Sequence, residues 1–353
     1  MNFLYSEDQR SFQESIGAFL AQECTPETIR ASWETETARS PQLWAKLAEM
    51  GIPGMLAPEV DGGLGLSEME LVLPLEETGR VALAEPILET AALAVPLLRD
   101  CGNAPLQEKW MARLVSGEAI ATVGLLINPV IADAHIADLL FLQHGDDEIH
   151  AVEKDQITLT AQPATDPSRK LFTVEWEPSA TTCVLAGEKG RALLATTLDR
   201  AALGLSAQLV GAAQQLVDIA VDYAKDRQQF GVAIGSFQAV KHMLASVQVA
   251  IEFARAPLAR AAWSVAHGTA TRATDVSQAK LLASDAALEA ARVALQVHGG
   301  IGYTWEVHLH IWMKRVWALE ASYGTRAWHR RRIGAALFGA GASLPSFGFD
   351  SEV

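Results

Sequence analysis

From Ser6 onward the polar and apolar positions alternate as in an amphipathic helix. Ser6 and Gln9 stand in capping-box register, and Phe12, Ile16, Phe19 and Leu20 then recur at helical spacing. A second start lies at Ser40-Pro41, an N-cap residue followed by a proline at the first helical position. Leu43, Trp44 and Leu47 form its apolar stripe, and Gly51 closes it. The segment 51–67, GIPGMLAPEVDGGLGLS, is too rich in Gly and Pro for a regular element and reads as a loop. Helical spacing resumes over Glu68 to Gly79, Ala84 to Asp100 and Pro105 to Val115.

Near Ala119 the period changes. IATVGLLI, ADLLFLQ, EIHAVE, QITLTA, KLFTVEW and TTCVLA are short β-prone runs separated by Gly-Asp-Asp, Pro-Ala-Thr-Asp-Pro and similar breakers. Helix returns at Arg191. The stripes Leu205/Leu209/Leu216, Phe237/Val240/Leu244/Val247/Ile251 and Leu281/Leu288/Leu295 follow, with alanine filling the other positions, as in helices packed on more than one side. The pattern predicts a mainly α chain with a central β domain. A helical unit covers 1–118, a short β domain 119–190, a C-terminal helical bundle 191–340 and a Gly/Ser/Pro-containing tail 341–353.

Composition excludes several classes. The chain has 353 residues, half of them hydrophobic and a fifth charged, a globular balance. Its mean hydropathy of +0.14 is high. Yet no apolar run approaches the roughly 18 residues that would span a bilayer, and the opening Met-Asn-Phe-Leu lacks a basic n-region, so the apolar excess is assigned to a core or to subunit contacts. Lys and Arg number 28 against 42 Asp and Glu, a net charge of −14, which opposes nucleic acid as a partner. Cys24, Cys101 and Cys183 are far apart, with no CxxC spacing, and predict neither a disulfide framework nor a zinc site. A reducing, cytoplasmic compartment fits this usage.

GxGxxG, Walker, GxSxG and HExxH motifs are absent. Glu306, His308 and His310 come nearest to a metal group, but period-two spacing would place them on one face of a strand, and they read as surface residues; no metal is expected. Two glycine-containing segments stand apart. Arg227-Gln228-Gln229-Phe230-Gly231 follows a long helix, with Gln238 shortly after. An Arg there can pair with a diphosphate, a Phe can cover an aromatic base, and a Gly lets the backbone approach closely. Gln296-Val297-His298-Gly299-Gly300-Ile301-Gly302 also follows a helix, and its glycines can form a backbone concavity for an anion. Taken singly, the first segment reads foremost as a helix C-cap with a solvated Arg, and the second also as a helix-ending turn.

Their order, RQQFG, FQAVKHMLA, a further helix and then QVHGGIGYTWE, closely resembles the C-terminal helical domain of acyl-CoA dehydrogenases; the loop 51–67 and the helix–β–helix plan resemble that family too. The resemblance spans nearly the whole chain. It implies an N-terminal helical domain, a small β domain and a C-terminal four-helix bundle, with FAD extended across a subunit interface. It also implies that Arg227, Phe230, Gly231, Gln238, Gln296, Gly299, Gly300, Gly302 and Thr325 bind the cofactor. The implied reaction is α,β-dehydrogenation of an acyl-CoA thioester, with a carboxylate as base and an electron-accepting flavoprotein downstream.

The chain departs from that pattern at the base. Where the family shows Glu-Gly-Thr, this sequence reads Tyr323-Gly324-Thr325, and the alternative base position falls on Leu258. A tyrosine of ordinary pKa, about 10, is a poor base at neutral pH. Glu320 is read as solvated or ion-paired, and Arg330, Arg331 and Arg332 as a solvated helix face. On the flavin side, residues 126–133, LINPVIAD, replace the family's run, and a second flavin-side run is missing. An intact adenosine side beside an altered flavin side resembles the non-base subunit of heteromeric, steroid-type acyl-CoA dehydrogenases. The expectation is a homo-oligomer or a heterotetramer whose other subunit carries the catalytic Glu; the other reading is an inactive family scaffold.

Overall fold

The computed structural model describes residues 5–339, so the tail expected from residue 341 lies outside the described residues. Helix α1 (Glu7–Glu23) begins at the capping box, with the Gln9 amide donating to Ser6 Oγ and Gln9 Oε1 accepting from the Ser6 amide. Helix α2 (Pro26–Trp33) is an element the periodicity missed, although Thr25-Pro26 is a cap signal of the same kind as Ser40-Pro41. Helix α3 (Pro41–Glu49) buries Leu43, Trp44 and Leu47, and α4 (Glu68–Arg80) follows the loop.

The helix expected over 84–100 starts later and is wider. Pro86 holds residue 85 out of helical geometry, and Leu88–Ala94 is a π-helical stretch leading into α5 (Val95–Asp100). Pro96 has no N–H to return to Ala92, and a wider turn before it relieves the clash its ring would cause. Helix α6 (Ala104–Val115) closes the N-terminal unit.

The strands are β1 (Ala121–Gly124), β2 (Ile131–Ala132), β3 (Leu139–His144), β4 (Glu148–Glu153), β5 (Thr158–Gln162), β6 (Leu171–Glu175) and β7 (Cys183–Leu185); six form at the expected runs, and β2 is a short strand the pattern missed. They make two sheets, β1-β3-β4-β7 and β2-β6-β5. Leu140, Leu142 and Val152 are buried between the sheets.

Three long helices then run up, down and up: α7 (Gly187–Asp226), α8 (Gln238–Ala266) and α9 (Arg272–His298). The hairpin of β8 (Gln228–Gln229) and β9 (Val232–Ala233) joins the first two. Helices α10 (Leu309–Ala321) and α11 (Arg326–Phe338) return along α9. Glycine lets α4 and α7 approach closely, since a Cβ on Gly211 would lie 1.9 Å from the Glu76 carbonyl oxygen. The α9 stripe differs from expectation. Leu281, Leu288 and Leu295 are only half-buried, and the alanines at 279, 283, 286, 287, 290, 291 and 294 face the core. Short side chains allow tight helix contact and leave the leucines at the rim. No described helix is long and apolar enough to cross a membrane.

Candidate functional site

Because α7 and α9 run in the same direction with α8 between them, their C-termini emerge at the same end of the bundle. The Tyr223 and His298 rings stack there at 4.3 Å, tying the RQQFG and QVHGGIG segments together. Arg227 ends α7, its amide bonded to the Tyr223 carbonyl at 2.9 Å, and its own carbonyl accepts from the Ile234 amide at 2.8 Å. Phe230 (φ +53°) and Gly231 (φ +80°) form the tip of the β8–β9 hairpin, both left-handed as a tight two-residue turn demands. Phe230 is 92% exposed, and its ring meets the edge of Phe237 at 6.2 Å between centroids. Gln238 opens α8, whose N-cap, Phe237, offers no side-chain cap, so the first amides of that helix face the same end unclaimed by a cap.

Gln296 is exposed on the last turn of α9. Gly299 takes φ +63°, ψ −141°, and among the described residues, chain neighbours aside, neither it nor Gly300 has an atom within 4 Å of where a Cβ would sit. Gly302 is buried, and a side chain there would meet Leu295 and the Cβ of His298 at 2.9–3.0 Å. The structure thus gathers Arg227, Phe230, Gly231, Gln238, Gln296, Gly299, Gly300 and Gly302 at one exposed end. Thr325 is elsewhere. It caps α11, its Oγ1 accepting from the Trp328 amide at 3.4 Å, next to a loop bound to Lys280. Lys280 and His298 are 18 residues apart on α9, about 27 Å of helix.

The loop 322–325 is held from every side. Lys280 is fully buried, and its Nζ donates to the carbonyls of Leu319, Glu320, Ser322 and Gly324 at 3.1–3.3 Å. Burial pushes this amine down to about 7, while the four carbonyls favour its protonated form. His329 Nε2 donates to the Tyr323 carbonyl at 3.2 Å, and burial drives that imidazole down to about 3. The Tyr323 amide donates to Asn128 Oδ1 at 2.8 Å. The Tyr323 side chain, 4% exposed, turns inward so that its hydroxyl reaches the Val123 carbonyl at 3.4 Å, and burial raises its pKa well above the ordinary phenol value.

Around it lies a group of buried charges that no sequence pattern announced. Arg315 binds Asp166, the Leu83 carbonyl at 2.6 Å and Ser168 Oγ at 2.7 Å. Arg39 pairs with Asp133 and donates to the Ser168 carbonyl at 2.7 Å. Burial alone would raise the Asp166 carboxyl; the Arg315 guanidinium overrides it and holds that carboxyl below its usual range. Glu85 accepts from the Ser40 amide at 2.8 Å, and burial lifts it to about 7. The cavity among Arg39, Glu89, Asp133, Arg169 and Arg315 is about 20 Å³, scarcely room for one water. Arg39 and Glu85 also line a surface cleft of about 730 Å³ between α3 and the β domain.

Other expected residues resolve simply. Leu258 is buried on α8. Glu320 accepts from the Arg326 amide at 3.0 Å and lies 3.5 Å from its guanidinium. Arg330 and Arg331 are exposed as expected, but Arg332 is not a solvated residue: it pairs with the fully buried Asp199 at 2.8 Å, which also binds Arg272. His308 and His310 do not lie on a strand; His308 precedes the first turn of α10 without capping it by its side chain, and His310 is inside the helix, against Trp33 and Trp305. Cys24, Cys101 and Cys183 are free thiols.

This architecture is matched by family models. Residues 6–118 match the N-terminal domain of acyl-CoA dehydrogenases and residues 188–338 their C-terminal domain, and the chain belongs to that family of FAD-dependent oxidoreductases acting on CH–CH bonds. The acyl-CoA dehydrogenase IpdE2 of Mycolicibacterium smegmatis is 33% identical over 337 residues, covering 94% of this chain and all of that protein. The ChsE4-ChsE5 complex of Mycobacterium tuberculosis contains a chain 27% identical, with a TM-score of 0.87 over 98% of this chain and 100% of that one. A chain of the Tcur3481-Tcur3483 steroid acyl-CoA dehydrogenase shares the fold, with a TM-score of 0.84 at 24% identity over 93% of this chain and 97% of that one.

Proposed function

We infer that this chain is the non-base subunit of a heteromeric acyl-CoA dehydrogenase, giving half a cofactor site to a partner that carries the catalytic Glu. The observation that carries this reading is the contrast at Tyr323: the base position holds a buried phenol, and the ion pairs of Glu89, Asp133 and Arg169 near it leave a cavity of only about 20 Å³, while the two glycine segments lie together at an exposed end. The adenosine diphosphate half of FAD fits the exposed end. Arg227 would pair with the diphosphate, the α8 N-terminus would face its oxygens, the open backbone at Gly299 and Gly300, beside buried Gly302, would allow close approach, and Phe230 would cover the base, with Gly231, Gln238 and Gln296 at the rim. The flavin ring does not fit the interior beside Tyr323, which its own ion pairs fill. Thr325, at the N-cap of α11 and far from that end, is left with its helix-capping role.

In this family FAD supplies hydride uptake from the acyl β-carbon while a carboxylate takes the α-proton. This chain's residues do neither. They hold the cofactor's diphosphate and exclude water from the closed interior, so the acyl-CoA thioester and the electron-accepting flavoprotein belong to the partner's side. The likeness to a chain of a two-component complex supports a hetero-oligomer, and the likeness to a steroid acyl-CoA dehydrogenase supports a bulky, steroid-type acyl group. Val249 and Phe253, exposed along α8, and the half-buried leucines of α9 add apolar surface that a second chain would cover.

The test is reconstitution with a partner bearing Glu-Gly-Thr. The complex should hold FAD and reduce an electron acceptor with an acyl-CoA, and this chain alone should do neither. Efficient turnover by the isolated chain would overturn the reading. An active complex whose FAD content is unmoved by Arg227→Ala would favour the scaffold reading instead.

A further inference from the structure

The three-residue turn at 145–147 closes the β3–β4 hairpin with His144 directly opposite Glu148. Since side chains two apart on a strand share a face, His150 joins them there. The result is a cluster of two imidazoles and a carboxylate at the open end of the inter-sheet core. Glu148 Oε2 lies 2.8 Å from His144 Nδ1 and 3.2 Å from His150 Nε2, and one ligand atom from each residue falls within 4.8 Å of the others. Zinc bound at about 2.0–2.2 Å by nitrogen and oxygen needs neighbouring ligand atoms roughly 3.3 Å apart, so small side-chain adjustments suffice.

His150 is the fixed member. Its side chain is 2% exposed, and its ring lies 4.9 Å from that of Trp176, which shields one flank. Its other nitrogen, Nδ1, lies 2.9 Å from Thr182 Oγ1. That hydroxyl can donate its proton to the Ser179 carbonyl, 3.1 Å away, and accept from His150 Nδ1–H, which leaves the Nε2 lone pair directed into the cluster. Such an outer partner is what orients a metal-ligating histidine. His144 and Glu148 are about half-exposed, which gives an ion a route in and leaves a coordination position facing solvent.

We propose that His144, Glu148 and His150 form a binding site for a borderline divalent cation, Zn²⁺, which staples the two strands of the β3–β4 hairpin together at its turn. Two imidazoles with one carboxylate suit zinc-class ions better than Mg²⁺ or Ca²⁺, which favour all-oxygen sets. The site is independent of the cofactor clamp.

The experiment titrates the metal-free full chain with Zn²⁺, and with Co²⁺ followed by its visible absorption. One ion per chain is expected, with Co²⁺ bands of a low-coordinate site and a rise in unfolding midpoint as Zn²⁺ is added. His144→Ala and Glu148→Gln, both at half-exposed positions where folding is not at risk, should each weaken binding by roughly tenfold or more. His308→Ala removes the His308–Glu27 pair at 3.2 Å and should leave binding unchanged. No saturable binding at micromolar Zn²⁺, or an affinity that neither cluster substitution moves, overturns the proposal.

Discussion

The C-terminal bundle has two ends of opposite character. At the end where α7 and α9 finish, Phe230 stands in solvent, Gly299 and Gly300 face open space, and the first α8 amides lack a side-chain cap. At the Tyr323 end, a lysine meets four carbonyls, a histidine and an asparagine hold the tyrosine backbone, and Arg315 is satisfied by a carboxylate, a carbonyl and a hydroxyl. A binding surface has to leave donors and apolar area unspent. An interior cannot, because each unpaired buried polar group costs about 1–3 kcal/mol. The residues expected to face the cofactor lie at the first end, and the second is core.

The sharpest way to break this comparison is Arg315→Met. It would leave the buried Asp166 carboxylate without its cation, and a loss of about 3–5 kcal/mol is expected in denaturant unfolding. A loss under about 1 kcal/mol would mean that the charges do not hold the interior shut.

Acid should act at the same end. His329, held down to about 3 when folded, binds a proton more readily when unfolded, near the ordinary value of 6.5. Its contribution is therefore present above pH 6.5 and is lost as pH falls from there toward 3, by about 2 kcal/mol between pH 7 and pH 5. His329→Asn should remove this part of the acid sensitivity; a pH–stability curve parallel to that of the unsubstituted protein would contradict it.

Smaller effects are expected at the open end, and on binding alone. Arg227→Ala should weaken FAD retention in the reconstituted complex by about 1.5–3 kcal/mol, roughly ten- to a hundredfold, without moving the unfolding midpoint. Equilibrium dialysis of flavin against both proteins measures the first, and thermal unfolding the second.

Smallest of all should be Tyr323→Phe. The hydroxyl makes one long contact, 3.4 Å, so its removal should cost less than about 1 kcal/mol of stability and leave turnover of the complex unchanged. A drop in turnover of about a hundredfold or more would make Tyr323 an acid–base group after all.

Much of the molecule was legible before any coordinates. Capping boxes, Ser-Pro starts and short β runs are local signals, and they located most of the elements; RQQFG and QVHGGIG identified the family. Local signals failed where distant residues decide the outcome. The leucine stripe of α9 faced the rim because α7 and α8 needed its alanines, and His310 entered a helix against Trp33 and Trp305. Arg332 found the buried Asp199, 133 positions away along the chain. Helix and strand periods arise from interactions a few residues apart, so the sequence by itself determined the elements and the turn residues of the exposed end. Which charges meet in the interior, and that Tyr323 is sealed among them, depends on partners brought from α3, the β domain and α10, and only the tertiary structure decided that.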